Sequence, residues 1–162
     1  MDASVGAVQI YYSERLWVPA SWWVIGMVFP VSFASAVGLY ASPAVSLIAS
    51  VLTAVAVAAA LLAYGRVRIQ VDAAGLHAGA ALLEWAWAGP AVANDKAATA
   101  SRLGVGADHS AWLFVRGYVP TSVEVDVADP DDPHPYWLVS TRHPAELLAA
   151  IELARQAQPS GH

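Results

Sequence analysis

Residues 16–65 contain no Asp, Glu, Lys, Arg or His, and this uncharged run limits the chain more than any other feature. A bilayer core of about 30 Å is crossed by roughly 20 apolar residues of helix, so the run is long enough for two spans and a short turn. Ala41-Ser42-Pro43 marks the turn. Proline is accepted at the first helical position, where its missing N–H leaves nothing unpaired. The pattern predicts a first span over residues 18–40 and a second over residues 43–64. The competing reading is a buried hairpin of a soluble protein, but a chain of 162 residues has little left to cover two helices that are apolar all round.

Trp17, Trp22 and Trp23 cluster at the entry of the first span, and Tyr40 and Tyr64 sit near the exits, as suits rings that favour the headgroup region. Arg15 precedes the first span, Arg66 and Arg68 follow the second, and the connecting turn is uncharged. The positive-inside rule then predicts a two-pass protein of the cell (inner) membrane with both ends cytoplasmic. Ala34-Ser35-Ala36 has the small-residue form of a signal-peptide cleavage site, but the segment before it is long and a second span follows directly. Pro30 lies mid-span, where a proline marks a kink or is accommodated by neighbouring helices. Neither span holds an ionisable residue, the usual mark of a proton or ion pathway. Gly26, Ala34, Gly38, Ala49, Thr53, Ala54 and Ala58 include small residues four apart. They suit close packing of the spans on each other and, through the same faces, a homodimer.

Composition agrees with a membrane segment joined to a small domain. Charged residues make up 13% of the chain, against roughly 25% in an average soluble domain. The net charge of −5 and the single lysine, Lys96, exclude a nucleic-acid partner, which needs clustered cations to release counterions. Absence of cysteine excludes disulfides, thiolate metal sites and thiol nucleophiles.

After the spans the periodicity turns from helical to alternating. Residues 66–72 alternate polar and apolar side chains as a half-buried strand does. Ala73-Ala74-Gly75 reads as a turn into Leu76-His77-Ala78, and residues 83–87 form a further strand that ends at Gly89-Pro90. A short strand over residues 91–95 and a brief helix or loop over 96–103 follow. Residues 111–116 and 121–127 are strands, with Val123, Val125 and Val127 alternating against Glu124 and Asp126. An acidic turn of Asp129, Asp131 and Asp132 with three prolines leads to a strand over 136–141, antiparallel to the one before. Pro144 opens a C-terminal helix to about residue 157, with Leu147, Leu148, Ile151 and Ala154 on its sheet-facing side.

Six or seven short strands and a closing helix give an α+β domain: an antiparallel, pleckstrin-homology-like sheet or barrel with a C-terminal helix. The predicted organisation is a cytoplasmic N-terminal segment (1–17), a transmembrane hairpin (18–64), the cytoplasmic domain (65–157) and a tail (158–162). Tyr12-Ser13-Glu14-Arg15-Leu16-Trp17-Val18-Pro19 resembles the opening motif of an uncharacterised actinobacterial family of two-span membrane proteins. Asp129-Pro130-Asp131-Asp132-Pro133, the run 135–142 and Pro144 resemble its closing motif, with Arg116-Gly117-Tyr118 between. The resemblance implies architecture and host group; that family is a domain of unknown function, so no activity comes with it.

Candidate sites are few. Asp129, Asp131 and Asp132 begin like a calcium loop but lack its glycine and distal glutamate, and a rigid turn explains them as well. His77, His109, His134, His143 and His162 lack the spacing that puts two on one helical face. Ser140-Thr141-Arg142-His143 opens the last helix, where backbone N–H groups beside Arg142 offer a place for a phosphate or carboxylate, or Thr141 or His143 caps the helix. Gly104-Val105-Gly106 lacks the context of a dinucleotide fingerprint, and no nucleophile or acid–base pair is visible, so neither catalysis nor a cofactor is expected. The leading expectation is a non-catalytic, membrane-tethered adaptor that meets a protein partner through Trp112, Tyr118 or Trp137, as aromatics dominate binding hot spots. One alternative is recognition of anionic lipid by Arg15, Arg66, Arg68 and Arg142. Against it, residues 66–162 hold seven basic and eleven acidic side chains, a balance of −4. The other alternative is an enzyme or small-ligand carrier with a cavity that sequence does not reveal.

Overall fold

The computed structural model describes residues 9–104 and 106–158. Two units emerge: a helical hairpin, Arg15–Val67, and a domain formed by the described residues before Arg15 together with those from Arg68 onward. Residues 1–8 of the expected N-terminal segment, Val105 of the glycine motif, and residues 159–162 of the expected tail, His162 included, lie outside the described residues.

The hairpin consists of α1 (Ala20–Gly38) and α2 (Pro43–Tyr64). Both are long and apolar enough to cross a membrane. Only Pro30 of α1 and no residue of α2 is buried. Ser42 caps α2 by accepting from the Val45 N–H at 3.5 Å, and Pro43 takes the first helical position as the sequence predicts. At Gly26 the helices pack tightly: a Cβ there would stand 2.9 Å from Val57 Cγ1. The Ser46 hydroxyl donates to the Ala34 carbonyl at 2.7 Å, and Ser50 donates to the Pro30 carbonyl at 3.3 Å. These bonds tie the two helices to each other, and α1 continues through Pro30. At the hairpin root, Leu16 N–H donates to the Val67 carbonyl at 3.0 Å.

The domain begins earlier than expected. Ile10–Arg15 is a strand, β1, and it is followed after the hairpin by β2 (Arg68–Asp72), β3 (Gly75–Ala78) and β4 (Ala81–Glu84). These four form one sheet in the order β1-β2-β3-β4. Within the predicted N-terminal segment (1–17), Ile10–Arg15 supplies the edge strand of the first sheet. β5 (Ala88–Asn94), α3 (Lys96–Leu103), β6 (Trp112–Phe114), β7 (Ser122–Val127), β8 (Tyr136–Ser140) and α4 (Pro144–Gln156) complete the domain. The second sheet runs β5-β7-β8-β6.

The β7–β8 pair is antiparallel as predicted, with Val123 opposite Val139 and Val125 opposite Trp137. The expectation of a wholly antiparallel sheet is corrected at one edge, where β6 runs parallel to β8. Trp85-Ala86-Trp87 forms a turn rather than a strand, and β5 runs straight through Gly89-Pro90. A proline is tolerated there because β5 is an edge strand with an irregularity between Ala88 and Ala91. Residues 96–103 resolve as helix because Asp95 caps them, accepting from the Ala98 N–H at 2.8 Å.

Ile69, Val71, Leu76, Val123, Val125, Leu138, Val139, Leu147 and Ile151 form a core with no exposed surface. Helix α4 packs on β2 of one sheet and on β5 and β7 of the other through Leu147, Ala150, Ile151 and Ala154. Leu148, expected on that face, is only half-buried, because the helical turn brings Ala150 inward instead. Burying Leu147 and Ile151 contributes about 1.5–3 kcal/mol each, which fixes the helix across the two sheets.

Candidate functional site

The acidic turn and the central strand β8 meet β4 around a pocket of about 160 Å³. Its lining is Leu82, Leu83 and Glu84 of β4, Trp87 in the next turn, Val127, Asp129, Asp132 and Trp137. The local chain explains each placement. Gly79, at φ 67°, makes the tight β3–β4 turn that a residue with a Cβ resists. Trp85 donates its indole N–H to the Asp72 carbonyl at 2.9 Å, which draws that ring inward, while Trp87 remains 42% exposed. The Ala128 N–H donates to the Trp87 carbonyl at 2.8 Å and ties this turn to the end of β7. The acidic turn is closed by the Val127 N–H donating to the Pro135 carbonyl at 2.9 Å.

Within that turn Asp129 accepts from the Asp131 N–H at 2.9 Å and Asp132 from the His134 N–H at 2.8 Å. Each uses only Oδ1, so each keeps a second oxygen for a ligand. The Glu84 carboxylate has no protein partner among the described residues. No group of three or more His, Asp and Glu among the described residues is placed to hold a metal ion. Asp129 and Asp132 instead share a pocket with two indoles, and Asp131 lies outside its lining. Indole rings and carboxylates lining one pocket suit an ammonium or guanidinium group, for which a cation–π contact contributes about 0.5–2 kcal/mol.

Of the three aromatic candidates, Trp137 is corrected from an exposed contact to a buried wall of this pocket, at 6% exposure. It stacks on half-buried Trp112 with ring centroids 3.9 Å apart, and its Nε1 is buried without a partner. Tyr118 is half-buried, with the Arg142 guanidinium 5.9 Å from its ring. Sequence reading passed over Trp87 and Glu84 because both fall in what looked like one strand.

The four arginines do not form one constellation in either unit. In the hairpin unit Arg15 lies 4.1 Å over the Trp17 ring and Arg66 is exposed. In the domain Arg68 is exposed on β2, and Arg142 stands at the entry to α4. The anion place expected at that entry is taken by the protein's own Glu14. Its Oε1 accepts from the Arg142 N–H at 3.1 Å, and its Oε2 accepts from the Thr141 hydroxyl at 2.5 Å and the Tyr12 hydroxyl at 2.8 Å. Burial raises the Tyr12 phenol above its ordinary pKa; the Thr141 hydrogen bond works against this and the Glu14 carboxylate adds to it. Tyr12 therefore stays a donor to Glu14 well into the alkaline range. His143 precedes α4 without a side-chain cap, and its N–H donates to Thr141 Oγ1 at 3.1 Å.

Three further polar clusters tie elements of the domain together. Glu124, expected on a solvent face, is buried beneath α3, where Arg102 Nη2 meets its Oε1 at 2.7 Å and Asn94 its Oε2 at 3.5 Å. Thr99 and Ser122 share a buried hydroxyl bond of 2.9 Å. At the β2–β3 turn Asp72 accepts from the Ala74 and Gly75 N–H groups, and His77 Nε2 lies 3.0 Å from its Oδ2.

The chain is therefore an α+β domain with a helical hairpin inserted after its first strand and an aromatic–acidic pocket on its surface. It belongs to the family described as Protein of unknown function (DUF3093), whose model matches residues 11–151. No curated protein and no solved structure matches the chain.

Proposed function

We propose that this protein is a non-catalytic adaptor of the cell (inner) membrane, whose domain receives a basic side chain of a protein partner in the Trp87–Trp137 pocket. The observation that carries the reading is the lining itself: two indoles with Glu84, Asp129 and Asp132, on a domain of negative balance. Such a wall favours a cation, and acidic surfaces steer basic partners toward them. The exposed apolar surface of α1 and α2 supports insertion of the hairpin, since α2 at 22 residues spans the hydrocarbon layer at about 1.5 Å per residue. Arg15, Arg66 and Arg68 support cytoplasmic placement of both ends. A helix packed across two four-stranded sheets supports a pleckstrin-homology-like description, from which the parallel β6–β8 pair departs. The end motifs support the two-span actinobacterial type.

A photo-crosslinking residue at Trp87 or Leu82, used in native membranes and followed by mass spectrometry, tests this reading. The expected product is a heterologous protein joined through a Lys- or Arg-bearing segment, with the yield lost when Asp129 and Asp132 are both changed to Asn. Crosslinks to this chain alone, or crosslinks indifferent to the two Asn changes, would defeat it.

A further inference from the structure

The first helix of the second half, α3, presents Lys96, Thr99, Ala100 and Leu103 along one stripe to a second groove of about 210 Å³. The opposite wall is Val115, Arg116, Val119 and Pro120. This groove shares no lining residue with the Trp87–Trp137 pocket. We infer that it binds a small amphiphilic carboxylate, with Lys96 at the charged end and Leu103, Val115 and Val119 around the chain; Arg116 in the same lining already donates to the Val115 carbonyl at 3.0 Å and lies 4.9 Å over the Phe114 ring.

Three observations converge on that ligand class. First, the lining contains two cations and no carboxylate, within a domain whose balance is −4. Among the described residues Lys96 forms no ion pair, and Glu124 is engaged by Arg102. Second, Lys96 is the only lysine of the chain and occupies the first turn of α3, where the helix dipole disfavours a cation. A carboxylate beside it is attracted by both the ammonium and the dipole, so a locally unfavourable residue becomes favourable when the groove is filled. Third, the rest of the wall is apolar, and Leu103 is left 41% exposed at its edge. The volume is below the 300–1,000 Å³ typical of drug-sized ligands and, at about 30 Å³ per water-sized group, takes roughly seven methylene-sized groups.

The test uses the full chain, labelled with ¹⁵N, in nanodiscs of neutral phosphatidylcholine. Octanoate is titrated while the Ala100 and Gly117 amides are followed, with octylammonium as the equal-length cation and acetate as the anion without a chain. Saturable shifts with octanoate alone are expected. K96A should weaken the apparent affinity about tenfold, the scale of one charge-assisted hydrogen bond, and K96R should restore it. Lys96 is exposed and makes no contact on which the fold depends, so both variants report on binding. Equal shifts from octanoate and octylammonium, shifts that never saturate, or an affinity untouched by K96A would each overturn the inference.

Discussion

At Gly75 the backbone leaves no room for a side chain. A Cβ there would stand 2.2 Å from the Leu83 carbonyl oxygen of the neighbouring strand, a backbone atom that cannot swing away. G75A is therefore expected to destabilise the domain by about 1–3 kcal/mol, the usual cost of overpacking, as a lowered thermal midpoint of the full chain in detergent. Asp72 begins the same turn. Burial opposes its charge, but the Ala74 N–H, the neighbouring His77 and the Gly75 N–H outweigh that cost and hold the carboxyl below its ordinary pKa. A carboxyl depressed in the folded state adds stability above its unfolded value of about 3.9, and that stability is lost as pH falls through the folded value. Acid titration of the folded chain should show this loss. D72A should remove it together with about 1–3 kcal/mol at neutral pH, whereas D72N, which still accepts the two N–H groups, should cost less.

The elements α3 and β1 are each fastened by one buried or half-buried carboxylate. Strand β7 is buried at Ser122, Val123, Glu124 and Val125 in succession, because the core covers one face and α3 the other. Alternating Val and Glu therefore misleads: the polar face of β7 meets a helix rather than water. Removing Arg102 leaves Glu124 buried opposite only Asn94 at 3.5 Å. R102A should cost about 1–3 kcal/mol, less than a fully buried pair because the arginine is 44% exposed, and amide exchange should rise first in α3. A different carboxylate holds the first strand. Glu14 gathers three donors from Tyr12, Thr141 and Arg142, so E14A removes their shared acceptor. Its expected result is loosening of β1, read as faster exchange of the Tyr12 and Glu14 amides while α4 stays protected.

For the whole molecule, the decisive fact is the order of the chain. The hairpin lies in sequence between β1 and β2, which are neighbours in one sheet, so both of its ends lead into the domain. Two-pass topology with the domain inside then has a direct check, because the chain has no cysteine and any introduced one is unique. In intact cells S42C in the connecting turn is expected to react with a membrane-impermeant maleimide, and H109C on the exposed domain surface only after permeabilisation. The reverse pattern would invert the topology, and labelling of both in intact cells would argue that the hairpin does not span.

Sequence alone determined the two helices, their boundary at Ser42-Pro43, the β7–β8 pair and the closing helix, because each rests on local chemistry: apolar length, a proline at a helix start, alternation, an apolar helix face. The acidic turn was legible too, though not its company. Tertiary structure decided what depends on distant partners. It recruited Ile10–Arg15 as a strand, since six residues of mixed polarity form one only when β2 offers an edge. It buried Trp137 and Glu124, because the packing of β6 and α3 on each lies nowhere in their own segments. It also gathered Glu84 and Trp87 with Asp129 and Asp132 into one pocket, and set Lys96 across a groove from Arg116. Residues that line each of these cavities together lie as many as about 50 positions apart, beyond the reach of any periodicity, which reads only neighbours within a turn or a strand.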